Sequence, residues 1–253
     1  MIKVRNVIIG QGIPKIIVPL IGSIDSELLK EVHYVKGLKP DIIEWRVDIY
    51  DEVENLHAVQ VMLSNLREIL VDTPILFTFR SFSEGGKREA SVEFYQKLLK
   101  MAVQSKLIDL VDIELFQGDN LVNELVCIAK ENGIYIVMSN HDFQKTPEKD
   151  EIISRLRKMQ ELGADIPKIA VMPNNSQNVI TLIDATNTMK EKYSDRPFIT
   201  VSMGEKGVVS RLTGEVFGSA ATFGSGKEGS APGQMDVMEL RGILDVIHKN
   251  IGE

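Results

Sequence analysis

Short runs of apolar and β-branched residues recur along the chain, each followed by a longer stretch whose apolar positions return every three or four residues. Side chains alternate with period two on a strand and share a face with period 3.6 on a helix, so the first pattern predicts buried strands and the second amphipathic helices. The strand candidates are Lys15 to Ile21, Asp41 to Val47, Pro74 to Arg80, Leu107 to Leu115, Ile134 to Asn140, Ile166 to Met172, Pro197 to Met203 and Val216 to Phe223. Among the helices, Leu240, Ile243, Leu244 and Ile247 follow the i, i+3, i+4, i+7 template most clearly, and Leu121, Leu125 and Ile128 repeat it. Asp25, Ser26 and Ser176 stand where N-caps are expected, and Gly133 and Gly163 where helices are expected to end.

About eight βα units in roughly 250 residues match a (β/α)8 barrel, whereas an open doubly wound sheet normally uses fewer strands. The expected architecture is therefore α/β, a (β/α)8 TIM barrel in a single domain over residues 1–253. The segment Val4 to Ile9, with Gly10 and Gly12 after it, is expected to form a short N-terminal β-hairpin closing the barrel floor. No linker or low-complexity stretch divides the chain. The loop Gly224 to Gln234 is rich in glycine and suits a mobile lid over the last strand.

Composition narrows the function. At 43% hydrophobic, 26% charged and 6% aromatic residues the chain sits near globular averages. Its longest apolar runs, such as Ile134 to Met138, fall far short of the roughly 20 residues a membrane span needs. The start, Met1-Ile-Lys-Val-Arg-Asn6, has no apolar segment ending in a cleavage site, so a cytoplasmic location is expected. A lone cysteine, Cys127, excludes an intrachain disulfide and a cysteine-rich zinc site, and four scattered histidines suggest no metal. The net charge of -7 argues against nucleic acid as the partner. It leaves room for an anionic small molecule, because a few arginines in one cleft outweigh an unfavourable overall charge.

Strands of a parallel barrel are covered by helices outside and packed with side chains inside, so charged residues in them are costly unless paired or functional. Here they are frequent. Glu44, Arg46 and Asp48 share one face by the two-residue period, with Trp45 and Val47 on the other. Thr78 and Arg80 alternate with Phe77 and Phe79, Asp112 and Glu114 with Ile113 and Leu115, and Ser139 and His141 with Met138 and Asn140. Lys168 lies in a run with no other charge after Asp165. If the apolar faces pack under the helices, these polar faces converge on the barrel axis. Two readings compete at each position. Glu44, Arg46 and Asp48 form either a structural ion-pair ladder or part of a site, Asp112 and Glu114 read more naturally as structural partners of arginines, and Lys168 is either a solvated surface group or a buried amine. His33, His57 and His248 fall in helical or loop stretches, while His141 ends a buried strand, where barrel active sites lie.

A lysine in a low-dielectric pocket among arginines has its charged form disfavoured, and its free amine attacks carbonyls. The resulting imine, once protonated, acidifies the carbon beside the former carbonyl. Histidine is the natural base for that proton, and His141 is the candidate. Glu84, just past the third strand, is placed to orient the imidazole. Arg46, Arg80 and Arg211 are suited to anchoring an anionic or hydroxyl-rich substrate.

Taken together, Glu44-Trp-Arg-Val-Asp48, Phe77-Thr-Phe-Arg80, Ser139-Asn-His-Asp-Phe143, Pro167-Lys-Ile-Ala170, Val201-Ser-Met-Gly204 and Ser230-Ala-Pro-Gly-Gln234 resemble the type I 3-dehydroquinate dehydratases nearly end to end. Any one string is weak; six in the family order at strand ends are specific. The resemblance implies a (β/α)8 fold, usually homodimeric. It also implies dehydration of 3-dehydroquinate to 3-dehydroshikimate by syn elimination, in the shikimate route to aromatic amino acids, with no cofactor or metal. By motif, Lys168 resembles the Schiff-base lysine, His141 the base that removes the proton and returns it to the departing hydroxyl, and Glu84 the carboxylate that orients the histidine. Glu44, Arg46, Arg80, Arg211, Ser230 and Gln234 match substrate-binding positions. Family members often carry serine where this chain has Pro19, so one substrate hydrogen bond is expected to be absent or replaced.

Other motifs carry less. Gly224-Ser-Gly-Lys-Glu-Gly229 fits the dinucleotide fingerprint, but Pro232 and Gly233 follow where a helix must begin and too little chain remains for a βαβ unit. A Walker A loop fails because Glu228 follows Lys227, and the sequon Asn174-Asn-Ser176 is idle without export. The competing functions are a Schiff-base aldolase on the same barrel, with Ser202-Met-Gly204 and Gly224-Ser-Gly226 imitating a phosphate site, and an inactive relative that senses a shikimate-pathway metabolite.

Overall fold

The alternation of strand and helix patterns closes on itself in the computed structural model, which describes residues 1–227 and 229–251. Glu228 of the expected lid, and Gly252 and Glu253, lie outside the described residues. The elements run β1 (Ile2–Val4), β2 (Val7–Ile9), β3 (Lys15–Leu20), α1 (Asp25–Gly37), β4 (Ile42–Arg46), α2 (Leu56–Ile69), β5 (Ile75–Thr78), α3 (Val92–Ser105), β6 (Leu110–Glu114) and α4 (Asp119–Glu131). They continue with β7 (Tyr135–Asp142), α5 (Lys149–Glu161), β8 (Ile166–Val171), α6 (Ser176–Lys192), β9 (Ile199–Ser202), α7 (Val208–Leu212), α8 (Gly214–Phe217), β10 (Ala221–Ser225), β11 (Met235–Asp236) and α9 (Val237–Ile251).

The sheet order is β11-β10-β3-β4-β5-β6-β7-β8-β9, with every neighbouring pair parallel. The curled sheet meets itself where Phe198 bridges Ser219 in parallel and the Ala220 amide donates to the Phe198 carbonyl at 2.8 Å. This is the expected (β/α)8 TIM barrel. The expected hairpin is present as β1 and β2, paired antiparallel from Ile2 opposite Ile9 to Val4 opposite Val7. Val4 and Ile9 are buried against Ile17, Ile42, Leu76 and Val137, the lowest inward layer of the barrel, which they cap as a floor. The Tyr135 hydroxyl secures the hairpin by donating to the Lys3 carbonyl at 3.0 Å.

The strand alternation sorts two cores. Outward-facing Trp45, Phe77, Ile113, Met138 and Ile169 pack beneath the helices in the larger cluster. Inward residues at the strand starts form the smaller apolar floor. Burying a side chain of this size contributes roughly 1.5–3 kcal/mol, so the outward aromatic and aliphatic positions supply much of what holds helices to barrel.

Three local expectations need correction. Val216 and Phe217 do not begin the eighth strand: they end α8, and the chain turns at Gly218 (φ 116°) before β10 starts at Ala221. An apolar pair beside a strand reads the same whichever backbone it adopts. Ser176 is the first residue of α6, and the cap is Asn175, whose side chain accepts from the Asn178 amide at 3.0 Å. In α1 neither Asp25 nor Ser26 caps; Ile24 stands there, and Asp25 places its charge in the first turn, where the helix dipole favours it. Gly133 and Gly163 do follow the helix ends, in the left-handed conformation expected of them.

Candidate active site

Climbing the barrel from its floor, five strands change character after one side-chain period, while inward Ile199, Val201, Ala221 and Phe223 keep β9 and β10 apolar. Inward Ile42 gives way to Glu44 and Arg46, Leu76 to Thr78 and Arg80, Leu110 to Asp112 and Glu114, Val137 to Ser139 and His141, and Ile166 to Lys168. The polar faces therefore converge at the C-terminal end, and Glu44, Arg46, Arg80, Glu84, His141, Lys168, Arg211, Ser230 and Gln234 all line one cavity of about 510 Å³, counted to its open mouth. Asp48 departs from the stripe. It sits in a 3₁₀ turn after β4, fully buried, where it accepts from Arg46 Nε and Nη2 (2.8 and 2.9 Å) and from the backbone amides of Arg80 and Lys87 (both 3.2 Å). Its role is to hold Arg46 and the β5 end, not to line the cavity.

Arg80 is the centre of a dense charge cluster. Its Nη1 donates to Glu114 Oε1 (2.8 Å) and Ser139 Oγ (2.9 Å), its Nη2 donates to Asp112 Oδ2 (2.8 Å), and Glu84 Oε2 lies 3.5 Å away. Burial works against the guanidinium charge, but Asp112, Glu114 and Glu84 outweigh it and raise its pKa. Burial likewise works against the Asp112 carboxylate. Arg80, Lys168 and a hydrogen bond from Ser139 Oγ (2.6 Å) reverse the balance and hold it below the usual aspartate value. Removing one member of such a network leaves the others charged and unpaired in a dry interior.

Lys168 is 4% exposed. Its Nζ lies 3.7 Å from Asp112 Oδ2, 3.9 Å from Glu44 Oε1 and 4.4 Å from the centre of the Phe223 ring. Burial lowers its pKa; Glu44 and Asp112 pull it back, and Arg80 and Arg46 push it further down. On the next strand, register pairs Ser139 with Lys168 and His141 with Ala170, which puts His141 one side-chain period, roughly 6–7 Å, nearer the mouth than the lysine. Its Nδ1 is 2.9 Å from Glu84 Oε2, which also accepts the His141 backbone amide at 2.9 Å. Nε2 has no hydrogen-bond partner among the described residues. Burial, then Arg80, Lys168 and Arg46, hold the imidazole well below its usual pKa, so the ring is neutral. Burial pushes the Glu84 carboxyl up to about 8, with Glu114 and Asp112 adding to the rise and Arg80 and the Asn140 amide opposing it.

The far side is different. Arg211, on α7, is 2% exposed, and its guanidinium donates to the carbonyls of Phe223 (3.4 Å) and Pro232 (3.0 Å), while Nε has no partner among the described residues. Burial alone lowers its pKa to about 10. The described part of the glycine-rich loop crosses the mouth beside it. The Gly204 amide donates to the Pro232 carbonyl at 3.1 Å, and a Cβ on Gly233 would stand 2.3 Å from the Gly204 carbonyl oxygen, an approach only glycine permits. Within the loop, Gln234 Oε1 accepts the Ser230 amide (2.8 Å), and Gln234 Nε2 donates to Ser230 Oγ (3.2 Å).

Several wall residues escaped sequence reasoning. Phe143 and Met203, just past the ends of β7 and β9, and Phe223 in β10 line the cavity, and an apolar residue in or beside a buried strand carries no signal of its own. Asp112, read as a structural partner, both serves Arg80 and reaches the Lys168 amine. Asn140, expected only as an outward position, donates to Glu84 Oε1 at 3.1 Å. Pro19 pairs in register with Glu44 and offers no donor at that point of the wall.

Comparison with known proteins shows the family and the overall fold. The family described as type I 3-dehydroquinase matches residues 16–251. The 3-dehydroquinate dehydratase of Bacillus subtilis is 57% identical over 250 residues, covering 99% of this chain and 98% of that protein. A crystal structure of type I 3-dehydroquinate dehydratase from Clostridium difficile, with covalent modified comenic acid, superposes with a TM-score of 0.96 at 50% identity over 99% of this chain and 98% of that one. The 3-dehydroquinate dehydratase structure from Geobacillus kaustophilus also gives a TM-score of 0.96, at 36% identity over 98% and 96% of the two chains.

Proposed function

The chain belongs to the type I 3-dehydroquinase family, lyases that dehydrate 3-dehydroquinate in the shikimate pathway to aromatic amino acids, and we propose that it does so through an imine on Lys168 with His141 as the base. The observation that carries this reading is the pairing of an amine buried inside the barrel with an imidazole on the adjacent strand, both lining one cavity.

The Lys168 amine adds to the substrate ketone and expels water, forming a protonated imine. That cation withdraws electrons from the neighbouring carbon. His141 Nε2 takes the proton there, because Nδ1 is engaged by Glu84 and a neutral ring has one basic nitrogen to offer. The imidazolium then returns the proton to the hydroxyl leaving from the next carbon, so one group on one face serves both transfers and the elimination is syn. Water hydrolyses the imine, releases 3-dehydroshikimate and restores the amine. The water lost on condensation is regained on hydrolysis, and the net change is loss of one water from the substrate.

Glu44, Arg46, Arg80, Ser230 and Gln234 serve as hydroxyl and ring contacts. Arg211, a buried cation with no carboxylate among the described residues, receives the substrate carboxylate. The crystal structure with covalent modified comenic acid supports covalent chemistry in this family. In the same reading the enzyme is a cytoplasmic homodimer that needs no cofactor. Among the described residues no helix is long and apolar enough to cross a membrane.

Borohydride reduction in the presence of 3-dehydroquinate is expected to fix the adduct on Lys168, located by peptide mass mapping. Lys168→Ala is expected to abolish turnover while substrate still binds, and His141→Ala to slow proton removal by about 10²–10⁴-fold while trapping persists. A lysine variant with near-normal rate overturns covalent catalysis here. Sedimentation at working concentration tests the dimer.

A further inference from the structure

The outward face of β7 carries a polar residue where its neighbours are apolar. Asn140 is 3% exposed, between barrel wall and helix layer, and a buried amide there is costly unless both its ends are bonded. They are: Nδ2 donates to Glu84 Oε1 at 3.1 Å, and Oδ1 accepts from Arg155 Nη1 at 2.8 Å. Arg155 reaches in from α5, held by Glu151 through Nε (2.8 Å) and covered by the Phe116 ring, whose centre is 5.4 Å from its guanidinium carbon.

An arginine can only donate, so the oxygen of the Asn140 amide must face it and the NH2 must face Glu84. The direction of the whole chain follows from its outer end. We propose that Arg155 is a positioning residue for the reaction: by fixing the Asn140 amide it keeps a donor aimed at Glu84, and so keeps Glu84 the ion that accepts from the His141 ring. This inference rests on the roles given above to Glu84 and His141.

The charge balance around Glu84 makes one donor matter. Arg80 faces it at 3.5 Å and His141 at 2.9 Å, Glu114 and Asp112 repel its charge from β6, and Arg80, Lys168 and Arg46 act on the imidazole beside it. With Arg155 gone the amide is free to reverse, and its oxygen then faces a carboxyl that can bond it only by being protonated. A protonated Glu84 donates to Nδ1, moves the ring proton to Nε2 and removes the base.

Arg155→Met keeps an unbranched stem on α5 and removes the guanidinium, and with it the bond to Asn140 and the contact with Phe116. It is expected to lower kcat about 3- to 10-fold with KM within about twofold, and to move the acid limb of the pH–kcat profile upward by about 0.5 to 1 unit. Asn140→Asp, which sets a carboxylate beside Glu84, is expected to move the limb further the same way. In a Glu84→Gln background, where nothing remains to be kept ionised, Arg155→Met is expected to have no further effect on kcat. An unshifted limb, or an equal loss of kcat in both backgrounds, makes Arg155 merely structural and overturns the inference. If Glu84→Gln itself leaves kcat unchanged, the role assigned to Glu84 fails and this inference with it. If Glu84→Gln is impaired and Arg155→Met leaves the limb in place, this inference alone fails.

Discussion

Arg80 and Arg211 are both almost fully buried beside the same cavity, yet among the described residues Arg80 touches three carboxylates and Arg211 touches only backbone carbonyls. The β5–β7 side is charge-compensated within the protein, and its geometry is set by hydrogen bonds between its own side chains. The α7 and loop side holds a desolvated cation whose Nε has no partner among the described residues, an arrangement suited to an anion. Under the proposed roles the contrast separates two tasks: the groups assigned to chemistry are wired together, and the arginine assigned to the substrate carboxylate meets no carboxylate among the described residues.

The comparison predicts opposite outcomes for the same substitution. Arg80→Met leaves Asp112 and Glu114 buried without their partner, and is expected to cost about 3–5 kcal/mol of stability in addition to activity, measured by denaturant unfolding. Arg211→Met is expected to raise KM about 10- to 100-fold, because charge-assisted bonds to the substrate carboxylate are lost. Its Tm is expected to hold or rise, since no carboxylate is orphaned.

Acidity sharpens the wired side. Glu84, raised to about 8, must be ionised to orient His141, so kcat is expected to climb as pH rises through about 8. Stability moves the other way. The folded state keeps a proton that the unfolded chain loses at its model value of 4.5, so the contribution of Glu84 is fully present below about 4.5 and lost as pH rises to about 8. A pH–rate profile and a pH series of unfolding curves check both signs, and Glu84→Gln is expected to flatten the stability slope. The smallest effect belongs to the loop: Ser230→Ala removes one half-buried hydroxyl that bonds Gln234, and a rise in KM of only about 2- to 10-fold is expected from steady-state kinetics.

Much of the site was legible one strand at a time. Period-two alternation placed Glu44 and Arg46 on one face of β4, Thr78 at the end of β5 on the same face as Arg80 just past it, and Lys168 inward on β8, because an extended chain leaves a side chain only two directions. The same rule failed at Asp48, where a 3₁₀ turn ends the alternation, and at Val216 and Phe217, whose apolar character suits helix and strand alike. The barrel followed from counting βα units, since eight parallel strands with covering helices admit few closed arrangements.

From the sequence alone came which residues are inward, which family they resemble and which chemistry an amine, an imidazole and a carboxylate can perform together, all of it local pattern or residue identity. Tertiary structure decided which of those groups meet. Only the register between β7 and β8 sets His141 a period above Lys168, and only the packing of α5 on the barrel brings Arg155 to Asn140, 15 positions earlier in the chain. That Asp112 and Glu114 pair with an arginine was readable beforehand, but which arginine they answer was not, because it depends on neighbours from other strands: Arg80 finds Asp112 and Glu114 across 32 and 34 positions of sequence, and Arg211 finds none among the described residues.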